Sequence, residues 1–338
     1  MSRVDVIVPC YRYGHYLRQC VESVLSQSHG ELRVLIIDDA SPDHTEEEAL
    51  RLMNQDPRVE YRRHQVNQRH IATYNEGLDW ATGAYTLLLS ADDLLAPDAL
   101  ARAVSFLDRY SDVGFVYGTQ ICFRDQVQPP TDRQIRMDGW QIIPGLEFIE
   151  NCCMTGSNPV TTPTVVVRTQ VLKVTGGYRA DLPHTADMEL WLRLALKAPV
   201  GTLLAIQAYK RMHDENMQYL YVDRTIGDLQ QRQAAFDVLF REHGSELPDL
   251  GRLQRLASRS LSLEAFWAAS EAFDRADLDG SRKRLEFALT TDPELRSRPE
   301  WTRFSIKRWL GPRVWRVLHP LASLVRSRYH SRLSSATF

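Results

Sequence analysis

Short apolar runs alternate with amphipathic stretches along the first two thirds of the chain. Val4–Pro9 is a β-branched run, and Leu17, Val21, Val24 and Leu25 then fall on one helical face. Leu32–Ile37 is a second apolar run. Asp43 with Glu46 reads as a capping box opening a helix through Met53. Val59–Arg62 predicts a third strand, and His70–Ala81 a helix stopped by Gly83. Tyr85–Leu89 predicts a strand, Pro97–Tyr110 a helix and Val113–Tyr117 a strand. Near-continuous apolar runs are what strands covered on both faces require. The alternation predicts an α/β fold whose mostly parallel sheet carries helices on both faces.

Residues 119–163, with Pro129-Pro130, Pro144, Gly156 and Pro159, read as a long irregular insertion. Thr164–Arg168 predicts a strand, Gly176-Gly177 a turn, Asp187–Ala198 a helix and Gly201–Tyr209 a last strand. Beyond about residue 222 the strand signals vanish. Thr225–His243, Leu253–Arg275 and Gly280–Thr290 predict helices, the last two a helical hairpin without a second copy. The expected organisation is an α/β domain over 1–222, a helical domain over 223–300 and a basic amphipathic helical tail over 301–338.

Length and composition narrow the class. At 338 residues, 43% hydrophobic and 25% charged, the chain has ordinary globular usage, which excludes wholesale disorder, collagen and coiled coil. A net charge of −2 gives no case for nucleic-acid binding. The charge is segregated: Trp301–Phe338 holds eight Arg or Lys and no acid, leaving −10 on the preceding residues. Five cysteines, without CxxC or zinc-type spacing, read as reduced thiols. The first residues lack a signal-peptide apolar region, and no run approaches the ~18 apolar residues of a membrane span. A cytoplasmic protein is expected.

The polar residues ending the strands carry the chemistry. Ligands of open α/β sheets bind beyond the carboxyl ends of the strands. Those ends read Pro9-Cys10-Tyr11, Asp38-Asp39 and Ser90-Ala91-Asp92-Asp93. Four carboxylates are thus expected in one crevice, where mutual repulsion calls for a hard cation such as Mg²⁺ or Mn²⁺, or for ligand donors. The competing reading makes these acids helix caps and turn residues.

These residues, with others in order, carry a resemblance. They include Ile7-Val8-Pro9-Cys10-Tyr11, Ile36-Ile37-Asp38-Asp39, Asn67 with Asn75, and Leu89-Ser90-Ala91-Asp92-Asp93. Gly176-Gly177-Tyr178, Asp187–Arg193 and Tyr209-Lys210-Arg211-Met212-His213 follow. Over roughly residues 4–217 the chain resembles a bacterial-type, inverting family 2 glycosyltransferase. The resemblance implies a GT-A (Rossmann-like) mixed, mostly parallel sheet with an all-helical C-terminal extension. It implies that Pro9, Tyr11, Asp39 and Asn67 line the nucleotide site, with Asp92 at the ribose. Asp93 and His213 would hold a Mn²⁺ or Mg²⁺, and Asp187 would be the catalytic base. The start of a helix at Asp187 would favour its ionised form. Three positions depart from the family pattern: Ser90 and Ala186, where acids are common, and Arg69, where glycine is usual.

The implied reaction is non-processive transfer of a hexose-type sugar from a nucleotide donor, a UDP-sugar, to a glycan or lipid-linked acceptor. A nucleotidyltransferase or dinucleotide oxidoreductase lacks support, because no glycine-rich loop follows the first strand. The alternative that stays open is a catalytically weak or inactive glycan-binding or scaffold protein on the same fold. The tail, with Trp309, Trp315 and flanking Arg, suits either an anionic membrane surface on the inner face of the plasma membrane or packing on its own domain.

Overall fold

The structure, a computed structural model, describes residues 2–124, 139–214, 216, 226–312, 314 and 315. Strands β1 (Val4–Cys10), β2 (Leu32–Asp38), β3 (Val59–Arg63) and β4 (Tyr85–Leu88) pair in parallel in the order β3-β2-β1-β4. Helices α1 (Gly14–Leu25), α2 (Thr45–Gln55), α3 (His70–Trp80) and α4 (Ala99–Arg109) cover this sheet. β1 is buried throughout, and its period-two alternation feeds two cores. Val4, Val6 and Val8 join Leu17 and Val21 of α1 and Leu100 of α4, while Ile7 joins Ile71 and Leu78 of α3. α3 approaches closely because residue 77 is glycine; a Cβ there would stand 2.3 Å from Ile7 Cγ2.

The sheet continues through β8 (Val166–Arg168), β6 (Phe115–Arg124), β9 (Val200–Met212) and β5 (Leu94–Leu95), with β7 (Trp140–Ile143) also on β9. β6 and β9 are parallel, whereas β8, β5 and β7 run antiparallel to their neighbours, so the sheet is mixed. The β6–β9 register shifts between Tyr117 and Gln120, and such irregularities bend a strand. β5 pairs with the outer half of β9, at Ala208 and Tyr209.

Several elements differ from the sequence pattern. The stretch 119–163 is largely regular where it is described. It holds the outer half of β6, all of β7, and α5 (Gly145–Thr155). Pro144 and Gly156, which read as breakers, are the two caps of α5, Gly156 in the left-handed conformation. Pro129-Pro130 lies outside the described residues. The Asp43 carboxylate accepts from the Thr45 N–H (3.2 Å) and hydroxyl (2.6 Å) and from Gly14 N–H (3.2 Å), tying the starts of α1 and α2. Glu46 pairs with Arg63 instead of closing a capping box.

Two further helices, α6 (Thr169–Thr175) and α7 (Ala186–Lys197), precede β9. The C-terminal extension is helical: α8 (Ile226–His243), α9 (Leu250–Asp274) and α10 (Leu278–Thr291), then a helix over 299–312. One apolar core runs from Phe115 of the sheet through Phe148 and Trp191 to Phe236, Phe266 and Phe304 of the helical extension. The expected boundary at 222 lies outside the described residues. Phe304 packs edge-on against Phe266 and Phe273, and buried Lys307 donates to Ser270 O at 2.8 Å and pairs with Asp274. The opposite face of that helix exposes Ile306 and Trp309, the latter by 85%. The tail from 316 onward lies outside the described residues. Among the described residues no helix is long and apolar enough to cross a membrane.

Candidate active site

A crevice opens where β4 leaves β1. Leu89 N–H donates to Ile7 O at 2.9 Å, and beyond it Pro9 and Cys10 remain paired only with Ile37 and Asp38 of β2. Backbone groups of Ile7 and Pro9 point to the same side, toward β4. Pro9 therefore lacks an N–H where no neighbouring strand could accept it. Tyr11 follows on the rim, 43% exposed.

The first acidic pair divides its work. Fully buried Asp38 accepts from Ser41 N–H (2.8 Å) and the Tyr61 hydroxyl (3.2 Å) and pairs with Arg63 (3.4 Å). It is a structural residue, so the expected set of four crevice carboxylates loses this one. Asp39 Oδ1 accepts from Gln68 N–H at 2.7 Å and meets His64 Nδ1 at 2.7 Å, and Asn67 Nδ2 donates to Asp39 O at 3.2 Å. The loop 64–69 is thus folded around Asp39. His64 Nε2 lies 2.7 Å from Glu76 of α3. Burial alone would lower the imidazole pKa, but Asp39 and Glu76 together outweigh it and hold His64 above its ordinary value. Arg69 closes this loop at φ 69°, ψ 162°, a conformation that glycine adopts freely and other residues adopt under strain.

The second pair lies between β4 and β5. Asp93 N–H donates to Ser90 O at 3.0 Å, making a tight turn. Asp93 Oδ1 accepts from the backbone N–H of Arg211 at 3.0 Å, and Arg211 Nε donates to Asp92 O at 3.0 Å. The buried Arg211 guanidinium lies 4.4 Å from the Tyr16 ring centroid and 4.7 Å from that of Phe123, and donates to Gln19 Oε1 at 2.7 Å. Asp92 Oδ2 lies 3.2 Å from His213 Nε2 and accepts from Asn216 Nδ2 at 3.2 Å. The His213 ring has Tyr13 at 5.4 Å and Tyr16 at 5.2 Å. His213 therefore meets Asp92, the neighbour of the carboxylate with which the family pattern associates it. Burial, and then the charge of Asp92, push the Asp93 carboxyl well above its ordinary pKa.

This donor set suits a divalent cation. Asp92 Oδ1 is buried with no hydrogen-bond partner, which is costly for a carboxylate oxygen unless something binds it. Oxygen donors beside one imidazole fit Mg²⁺ or Mn²⁺. Among the described residues no three His, Cys, Asp or Glu side chains converge as ligands, so the protein's own donors form a partial set.

Asp187 stands in the first turn of α7, whose N-cap is Thr185. Its Oδ1 accepts from Met188 N–H at 2.7 Å, and Asn158 Nδ2 lies 3.3 Å from its Oδ2. Burial raises the carboxyl pKa above its ordinary value, against the lowering by the Met188 N–H. The expected helix-start effect is real but loses to desolvation. Lys210 of β9 exerts a Coulombic pull on both Asp93 and Asp187. α7 is fixed by a buried pair: Arg193 Nε meets Glu189 Oε1 at 2.6 Å, and its other nitrogens donate to Thr175 O and Gly177 O at 2.7 Å. Trp191 packs on Phe115 as core.

His64, Arg211, Asn216 and Asn158 escaped the sequence reading. Only Arg211 sat inside a quoted motif, and nothing local marks it as the residue that grips the acidic turn.

A mixed sheet with an acidic turn at this strand end is the GT-A fold of glycosyltransferases. Residues 5–174 match the family model "Glycosyl transferase family 2", half of the sequence, and the chain belongs to that family. It is 28% identical over 221 residues to EpsE of Bacillus subtilis, which carries a glycosyltransferase name. That match covers 63% of this chain and 74% of EpsE. It is 24% identical to the chondroitin synthase of Pasteurella multocida over 65% of this chain, but over only 22% of that synthase. Among solved structures, residues 1–349 of S. aureus TarS in complex with UDP align with a TM-score of 0.58 at 16% identity, over 87% of this chain and 91% of that one. The mannosyltransferase PcManGT of Pyrobaculum calidifontis, in complex with GDP-Man and Mn²⁺, aligns with a TM-score of 0.56 at 18% identity, over 94% and 87%. At these identities the structural likeness establishes the fold. The family match ends before Asp187, Arg211 and His213.

Proposed function

We propose that the chain is an inverting, metal-dependent, non-processive transferase that moves a sugar from a UDP-sugar to a hydroxyl of a glycan or lipid-linked acceptor. The observation that carries this reading is the unpartnered, buried Asp92 Oδ1 beside Asp93 and His213. A crevice that desolvates two adjacent carboxylates destabilises the protein unless a cation or ligand is bound there. Pro9, Tyr11, Asp39 and Asn67 form the wall suited to a base and ribose. Asp92, Asp93 and His213 would hold Mn²⁺ or Mg²⁺, whose Lewis acidity stabilises a leaving diphosphate. UDP in the TarS complex and GDP-Man with Mn²⁺ in PcManGT support a nucleotide-sugar donor and a metal.

Asp187 takes the proton of the attacking hydroxyl, and its raised pKa makes it a stronger base than an ordinary carboxylate. A single base without a second carboxylate nucleophile suits one in-line displacement, with inversion. The test is a thermal-shift screen of nucleotide sugars with and without Mn²⁺, followed by hydrolysis of the best donor. Asp187→Asn should keep the metal-dependent shift and lose ~10²-fold or more in turnover. Near-normal turnover in that folded variant removes the assignment.

Ser90 and Ala186, where the family commonly has acids, keep the scaffold reading as the alternative. Donor stabilisation without hydrolysis by the unmodified chain would favour it. For the acceptor, exposed Ile306 and Trp309 with Arg303 and Arg308 suit an anionic, lipid-bearing surface. Liposome co-sedimentation should weaken with salt and with Trp309→Ser. Recovery insensitive to both leaves the acceptor a soluble glycan.

A further inference from the structure

Two routes lead to Asp187, and both end on the same stretch of α8. The first runs along the chain before α7. His184 Nε2 lies 3.0 Å from Asp228 Oδ1 in the first turn of α8, and the Thr185 hydroxyl donates to Gln231 O at 3.0 Å. The second runs through the end of α5. Arg232 Nη1 donates to Gly156 O at 2.7 Å, and Asn158, two residues further, is the side chain that reaches Asp187 Oδ2.

Arg232 is itself fully committed. Its Nε donates to Asp228 Oδ2 at 2.8 Å, and its terminal nitrogens meet Glu264 of α9 at 3.0 and 2.7 Å. The guanidinium is almost completely buried, while Asp228 and Glu264 keep contact with water. A planar fork with five donors can serve three partners at once; a lysine ammonium cannot reproduce that geometry. Asp228 serves both routes, since one oxygen takes His184 and the other takes Arg232.

We propose that Arg232 and Asp228 are positioning residues for the base, so that the helical extension completes the catalytic geometry. Arg232 acts on Asp187 through Gly156 and Asn158; Asp228 acts through His184 at the start of α7. Misplacing a base by a fraction of an ångström slows proton transfer while leaving the nucleotide wall, built on β1, β2 and the 64–69 loop, untouched. The inference rests on Asp187 being the base.

The test uses the full chain, with UDP and Mn²⁺ as the binding probe and hydrolysis of the best-stabilising nucleotide sugar as the reaction. Arg232→Met should lower kcat at least tenfold with donor KM and UDP affinity unchanged within twofold, and Arg232→Lys should recover only part of the loss. Should Arg232→Met fail to fold, Glu264→Gln loosens the same fork from the exposed side and should give a smaller loss of the same kind. Asn158→Ala should slow turnover in the unmodified chain but add little on top of Arg232→Met, because both act on one path. Fully additive losses, or equal losses of kcat and UDP affinity, overturn the proposal. An Asp187→Asn arm separates the two readings. If Asp187→Asn turns over normally, the base assignment fails. If it is inactive while Arg232→Met keeps its full kcat, only the positioning role fails.

Discussion

Asn75 and Tyr178 exchange two hydrogen bonds across 103 residues: Asn75 Nδ2 donates to Tyr178 O at 2.9 Å, and Tyr178 N–H donates to Asn75 Oδ1 at 2.7 Å. The side-chain amide does for Tyr178 what a neighbouring strand would do, and it ties α3 to the turn before α7. Gly177 is glycine for this reason, since a Cβ there would stand 2.3 Å from Asn75 Oδ1. Asn75→Ala should destabilise the fold by about 2 kcal/mol, the sum of two ordinary hydrogen bonds. Gly177→Ala should do at least as much damage through the clash. Urea unfolding checks both, and unchanged midpoints would show that the contact is dispensable.

The raised carboxyl of Asp187 has a sign that can be measured. Its protonated form persists to higher pH than in an ordinary carboxylic acid, so kcat/KM should climb through a midpoint above 3.8. The same shift opposes folding once the group ionises. Asp187→Asn, relieved of that burden, should unfold at the same or a higher temperature than the parent at neutral pH. A clearly less stable Asn variant would contradict the desolvation argument.

His64 has the opposite linkage. Its folded pKa lies above the unfolded value of 6.5, so the stabilisation from Asp39 and Glu76 is complete below 6.5 and disappears as pH rises through the folded value. The parent should therefore lose stability relative to His64→Gln as pH rises from below 6.5 through the folded value. Parallel stability–pH curves for the two proteins would mean that the imidazole is not charged in the fold.

Arg69 occupies a glycine-type conformation, and its side chain has no partner among the described residues. Relief of backbone strain is worth about 1–3 kcal/mol, less the greater freedom of glycine in the unfolded chain. Arg69→Gly should therefore raise the melting temperature. A lower one would show that the guanidinium contributes more than the backbone costs.

The sheet was legible where its strands are buried on both faces. β1, β2 and β4 are mostly apolar, interrupted only by Asp5, Arg33 and Thr86, and the polar residues ending them mark the expected crevice. β6 was legible only as far as Tyr117, because its outer half is partly exposed and carries Thr119 and Gln120 among its apolar residues. α5 was hidden by its own caps. Asp39, Asp92, Asp93, Asp187 and His213 were visible as types at strand and helix ends. What each one touches was not: Asp38 and Asp39 look alike in sequence, yet one braces Tyr61 and Arg63 while the other holds His64 and the Gln68 N–H. His64 and Asn158 act through partners 25 and 29 residues away, and no local periodicity encodes such pairings.

Asp93 waits 118 residues of chain for its donor, the N–H of Arg211. β9 brings that donor, and with it come Arg211 Nε for Asp92 O and, just beyond, His213 and Asn216 for the Asp92 carboxylate. Without β9 the two carboxylates would lack these donors. β9 and the residues just after it thus provide for Asp93 Oδ1 and Asp92 Oδ2, while Asp92 Oδ1 is left to a cation or ligand. Non-local closure of this kind carries a larger chain-entropy cost than a local turn and is correspondingly slow.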